Sequence, residues 1–272
     1  MIAAEISRRR LVPLAATFAA TYGVLRSVPI SVMILGSGRV LTSSEFVAPL
    51  LGIILGPYAG SLAAVVGTFL GIALTGRMNF FGLDFLPVMV NALVLGFLMR
   101  KRWLFSALLY SALLALFFLH PLTLHFISVP LPNGAVELPF VWLHIVVWLL
   151  LLSPLSRKSV EWISGQTVSK AAGAVFLLAL IGTAAQHLTG TLLFASLAVP
   201  LMGITPQTLT AGWVAVFYVY PVERLIIVLA ATVVNIAVVR ALKVTGFLRT
   251  ADGITTREGR SARKHRPNNA SQ

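Results

Sequence analysis

The sequence predicts an all-α fold, a polytopic integral membrane helical bundle with about eight hydrophobic segments. Three observations carry that expectation. The chain is 58% hydrophobic and only 11% charged, apolar runs of membrane-crossing length recur along it, and its basic residues gather at the ends of those runs. Soluble proteins carry about 25% charged residues. So few charges cannot build a water-exposed surface, which excludes an ordinary cytosolic enzyme. The formal net charge of +13 would suit a nucleic-acid binder, but the 21 Lys and Arg do not form one basic face. Their placement is that of a positive-inside topology signal, so the expected environment is the lipid bilayer and not nucleic acid. With no cysteine in the chain, a disulfide framework, thiolate metal sites and cysteine catalysis are excluded.

Residues 1–10 read as a basic cytoplasmic N-terminus, 11–243 as the membrane-embedded domain and 244–272 as a basic cytoplasmic tail, too polar to order itself. A helix needs about 20 apolar residues to cross the hydrocarbon core. Candidate spans lie at 11–30, 46–56, 57–76, 84–99, 103–119, 138–153, 171–195 and 221–240. Charge favours separating 46–56 from 57–76 at Gly56-Pro57. With eight spans, 17 of the 21 cations fall on the cytoplasmic side, whereas a merged span splits the basic clusters across the bilayer. Both termini are then cytoplasmic, in the plasma membrane. The 46–56 segment is short, so it must start earlier or be shielded by its neighbours. Pro221 suits the first turn of the last helix, leaving Trp213, Phe217, Tyr218 and Tyr220 as an interfacial aromatic belt.

Small residues recur at helical spacing. Gly60, Ala64, Gly67 and Gly71 share one stripe, and Ala15/Ala19 and Ala16/Ala20 form overlapping pairs on the first span. Such stripes let helix backbones approach closely in lipid. Internal packing is the expectation for the glycine stripe, and docking onto a partner for the alanines of a peripheral first helix.

Glu45, Asp84, Glu137 and Glu223 fall at outer-side ends of spans, and Arg26, Arg39, Arg77 and Arg224 lie on that side too. Charge near the membrane is costly and tends to pair or to line a cavity, so a polar pocket open to the outside is expected. Any one of these charges alone reads as a solvated loop residue. Gln186-His187-Leu188-Thr189-Gly190-Thr191 is a polar cluster within an apolar span, a functional-site hypothesis by default. His144 reads as a core histidine. Asn91 lies where it could reach the pocket, and Asn235 reads as a bridge between helices. The candidate substrate-binding residues are therefore Asn91, His187, Glu223, Arg224, Arg39 and Glu45. No histidine spacing suits a metal, and no cofactor is implied. There is no Gly-x-Ser-x-Gly elbow, Walker loop or carboxylate pair within a helix, so an enzyme is not expected.

The segment Ala48-Pro49-Leu50-Leu51-Gly52-Ile53-Ile54-Leu55-Gly56-Pro57-Tyr58-Ala59-Gly60, which runs into a glycine-striped helix, resembles the substrate-binding S components of energy-coupling factor (ECF) vitamin transporters. The alanine-striped first helix, the stretch Asn91 to Lys101 and a last helix opening with Glu223-Arg224 extend the likeness to about half the chain. The resemblance implies a small-molecule binding subunit. It would dock through its first helix, at Ala15, Ala16, Ala19 and Ala20, on a transmembrane coupling subunit driven by two cytoplasmic ATPases. Family members have six helices, so 103–119 and 138–153 would be an inserted pair. A self-contained secondary transporter or channel is the main alternative, weakened by the lack of an internal repeat. A membrane enzyme acting on lipids lacks a catalytic cluster.

Overall fold

The computed structural model describes residues 8–32, 40–163, 165 and 167–245. These are mostly helical (76%). Helix α1 (Arg8–Arg26) leads into a small antiparallel pair, β1 (Pro29–Val32) and β2 (Val40–Thr42), then a 3-10 turn over Ser43–Phe46. A short α2 (Ala48–Leu50) passes into a π-helical turn at Leu51–Leu55, and α3 (Gly56–Thr75), α4 (Phe85–Met99) and α5 (Trp103–Leu119) follow. The hairpin β3 (Phe126–Leu131) and β4 (Gly134–Pro139) precedes α6 (Trp142–Leu152), α7 (Pro154–Trp162), α8 (Val168–Ala198) and α9 (Pro206–Val244). One apolar core runs through all the longer helices.

Among the described residues, three apolar stretches are long enough to cross a membrane: Ala48–Thr75, Val168–Ala198 and Pro206–Leu242. The pair α6 and α7, bent by 69°, could supply a fourth. Helices α4 and α5 are apolar but shorter, at 15 and 17 residues, or about 22 and 25 Å. Composition and these long helices mark a membrane protein.

The first of the three stretches is not straight. Gly56 has φ +80°, a conformation that glycine adopts without a steric cost, and the chain reverses there. A side chain at Gly60 would collide with the Leu51 carbonyl, a contact that a continuous helix would never make. Leu51 to Leu55 are buried between α3 and α4. A segment too short to cross the bilayer is thus enclosed by its neighbours, and its backbone never meets lipid.

Elsewhere the structure moves several expected boundaries. The first helix ends at Arg26 and not at residue 30, because Pro29 disfavours helical backbone at Val28 and the chain pairs as β1 instead. The hairpin β3–β4, with an exposed tip at Gly134, occupies the connection before α6. The last helix begins at Pro206 and runs for 39 residues with Pro221 inside it. Its start is set by Thr205, whose hydroxyl accepts the Thr208 N–H at 3.2 Å, with Pro206 at the first helical position. Pro221 therefore starts no helix. Packing from neighbouring helices lets it sit in the interior.

The aromatic belt expected before Pro221 is also corrected. Trp213, Phe217 and Tyr220 are buried and only Tyr218 is exposed. Phe140 stacks on Tyr220 at 5.5 Å and meets Trp213 edge-on at 5.1 Å. The tail beyond Thr245 lies outside the described residues.

Candidate functional site

Seven parts of the chain converge where α4 begins. They enclose an open cavity with about 770 Å3 of empty space. Its wall includes Tyr22 and Arg26 from α1, Glu45 from the 3-10 turn and Asp84 ahead of α4. His187 and its neighbour Gln186 come from α8, and Arg224 from α9. The elements place these groups by simple rules. Residues 186, 187, 190 and 191 share a face of α8 at i, i+3 and i+4 spacing, and α9 contributes Arg224 to the same wall.

The charges form two sets. In the first, Arg26 Nη2 donates to Asp84 Oδ1 at 2.7 Å, while Asp84 also accepts the backbone N–H groups of Asn79 (2.8 Å) and Phe80 (3.0 Å). Asp84 is thus saturated, and its job is to pin the turn ahead of α4 to the end of α1. The second set is a relay. Asn91 Nδ2 donates to Gln186 Oε1 at 2.8 Å, and Gln186 Nε2 donates to both oxygens of Glu45 at 3.0 and 2.9 Å. Because a carboxylate only accepts, the Gln186 amide has one usable orientation. Arg224 sits 4.0 Å from Glu45 and donates to Glu223 at 3.3 Å.

Arg224 is buried, yet both of its carboxylate contacts are long and its Nε has no hydrogen-bond partner. It is a desolvated guanidinium held without a tight ion pair, suited to a polar group arriving from the cavity. Burial pushes the Glu45 carboxyl above its ordinary range; Arg224 and then Arg26 pull it back, and Glu223 adds to the rise.

Beside the relay, His187 Nδ1 lies 3.1 Å from His144 Nε2. The two rings stack at 5.2 Å, and both stack on Tyr220, at 5.1 Å from His187 and 5.5 Å from His144. Tyr220 is fixed in turn by donating its hydroxyl to the Phe140 carbonyl at 2.9 Å. Of the three rings only His187 lines the cavity; His144 and Tyr220 are buried behind it and fix its orientation. Among the described residues no group of three His, Asp or Glu side chains is placed to hold a metal.

The structure brings Glu45, His187 and Arg224 together in the wall. Glu223 stands behind it as the partner of Arg224. Asn91 does not reach the cavity: it is fully buried, and its side-chain carbonyl presses on Gly182, where any side chain would collide. Its place is to hold Gln186, so its expected role as a ligand contact is corrected to a supporting one. Arg39 lies outside the described residues. Reading the sequence missed the Arg26–Asp84 pair, separated by 58 positions with no spacing to reveal it, and it missed Gln186 as the hub although the polar cluster contained it.

The alanine face is corrected as well. Ala19 is buried against α3, its carbonyl only 2.6 Å from where a side chain on Gly67 would begin, and Ala15 is half-buried. Those two alanines belong to internal packing. Ala16 and Ala20 are exposed, in line with Val12 and Val24.

Comparison of the chain with protein-family models, with curated proteins and with solved structures returned no match.

Proposed function

We propose that the chain is the membrane-embedded substrate-binding subunit of an ECF-type importer, which captures a small polar molecule from outside and hands it on through a coupling subunit powered by two ATPases. The observation that supports this most is the cavity itself. Glu45, Gln186, His187 and Arg224 surround an open space at one end of an apolar bundle. Polar groups in such surroundings are costly unless they are used. Nothing in the wall is arranged as a nucleophile with its base, which favours binding over chemistry. The resemblance of Ala48 to Gly60 and of the last helix to S components supplies the family reading.

With Ala15 and Ala19 turned inward, the docking stripe moves to the outward face of α1, at Val12, Ala16, Ala20 and Val24. The test is purification of the full-length chain from its own membrane under mild detergent. A retained small molecule in native mass spectrometry and a co-purifying coupling subunit with two ATPases are expected. Ion-driven uptake by the chain alone in proteoliposomes would overturn the proposal in favour of a self-contained transporter.

A further inference from the structure

At the opposite end of α4 from the cavity lies a second pocket, with about 450 Å3 of empty space, lined by Leu98, Lys101, Trp103, Arg157, Val160 and Glu161. We propose that it binds the headgroup of an anionic phospholipid from the leaflet at that end of the bundle.

Four observations point there. First, the pocket combines cations with an apolar wall. Leu98 and Val160 are buried, while Lys101 and Arg157 are exposed at its rim. Second, the cations are not spent on the protein. The salt bridges among the described residues are those of Arg26 with Asp84 and of Arg224 with Glu45 and Glu223, so Glu161 does not neutralise either cation although it lines the same space. The Arg157 guanidinium lies over the Trp103 ring at 4.9 Å, which holds its plane and leaves its N–H groups free to donate. Arg100, by contrast, is engaged over Tyr58 at 5.7 Å and takes no part.

Third, Lys101 adopts φ +58°. That left-handed residue closes α4: the Lys101 N–H donates to the Leu98 carbonyl at 2.9 Å and the Arg102 N–H to the Phe97 carbonyl at 2.9 Å, a helix C-cap. The cap fixes where the Lys101 side chain leaves the helix end, beside the pocket it lines. Fourth, the surroundings fit a lipid lying alongside. α7 leaves α6 at 69°, with Arg157 and Lys158 exposed and Val160 turned inward. Its apolar face packs on α8, which leaves both cations facing outward beside the pocket. Beyond Trp103, Leu104, Phe105 and Leu108 are exposed on α5, an apolar lane on which an acyl chain can run while its phosphate meets Lys101 and Arg157. Basic pockets between membrane helices at the cationic side are suited to acidic headgroups.

The experiment uses the full-length chain in neutral detergent, titrated with phosphatidylglycerol or phosphatidylcholine and read by native mass spectrometry. Phosphatidylglycerol should be retained in preference to phosphatidylcholine. Lys101→Gly, which also relieves the backbone, and Arg157→Gln should each weaken it about fivefold, with phosphatidylcholine unchanged. Arg77→Gln, which removes an exposed cation near the other end, should do nothing. The charge-conserving pair Lys101→Arg and Arg157→Lys should keep the lipid, and equal thermal midpoints across the set would show that folding is intact. Equal retention of both lipids by the parent overturns the proposal. So does displacement of phosphatidylglycerol by millimolar inorganic phosphate, which would make this a site for the free anion. Retention of lipid by the Lys101→Gly, Arg157→Gln double variant overturns it too, whether or not that variant loses a co-purifying protein.

Discussion

At Glu45, two opposing demands meet in one carboxylate. Burial favours its protonated form, and Arg224 with Arg26 favours the charged one. Burial wins, so the folded protein binds this proton more tightly than the unfolded chain does. The stability tied to Glu45 is therefore fully present below the ordinary value of 4.5 and is lost as pH rises through the higher folded value. Glu45→Gln, which cannot ionise, should gain on the parent as pH increases from about 4.5, and a parallel series of thermal midpoints against pH will show a widening gap. A constant gap would mean that the carboxyl titrates as though exposed. Arg224→Ala should cost the ligand about one to two decades of affinity, as expected when a polar partner worth about 1–3 kcal/mol is removed. It should also lower the apo-protein's thermal midpoint, since Glu45 and Glu223 are then left without their cation. Asn91→Leu should weaken ligand binding only through Gln186, by less than Arg224→Ala. Glu45, His187 and Arg224 were legible in the sequence because a polar residue inside or beside an apolar run is expensive and stands out. Asp84 and Arg26 stood out in the same way, but their pairing with each other did not, because it exists only once α1 and α4 are side by side.

The elements show what spacing can and cannot reveal. The stripe Gly60, Ala64, Gly67, Gly71 was readable as a packing face, and Gly67 does receive α1 while Gly60 receives the returning chain at Leu51. Which alanine pair of α1 faced inward was not readable, since Ala15/Ala19 and Ala16/Ala20 are equivalent in spacing and differ only in what lies opposite. Ala19→Trp should therefore abolish folded protein, whereas Ala16→Trp should leave the apo-protein's thermal midpoint unchanged and, if α1 docks on a partner, remove that partner. Size-exclusion profiles and thermal midpoints of the two variants decide the matter. Gly60→Ala should destabilise by about 1–3 kcal/mol, the usual effect of forcing a group into filled space. The bounds of α5 were legible because Trp103 to Leu119 is a clean apolar run. The start of α9 was not, because Pro221 mimics a helix start and only the cap at Thr205 marks the true one.

For the whole molecule, the Arg100–Arg102 cluster and the polar cavity lie at opposite ends of α4, and the hairpin β3–β4 follows the end of α5 far from Lys101. The chain contains no cysteine, so single cysteines report without background. Asn133→Cys at the hairpin tip should react with a membrane-impermeant maleimide in intact cells, and Lys158→Cys on α7 only after permeabilisation. Labelling of both from one side would remove the two-sided arrangement.

The reversal at Gly56 also bears on how the protein is made. Leu51 to Leu55 are too few to enter a bilayer as a unit, and the surfaces that enclose them belong to α3 and α4, with α2 just before them resting on α8. At about 5–20 residues per second, the ribosome delivers α8 on the order of ten seconds after this segment. During that interval α2 lacks the cover that α8 and then α9 supply. A nascent chain arrested at residue 165 and carrying Leu50→Cys should therefore react with a water-soluble maleimide, and the completed chain, in which Leu50 is buried, should not.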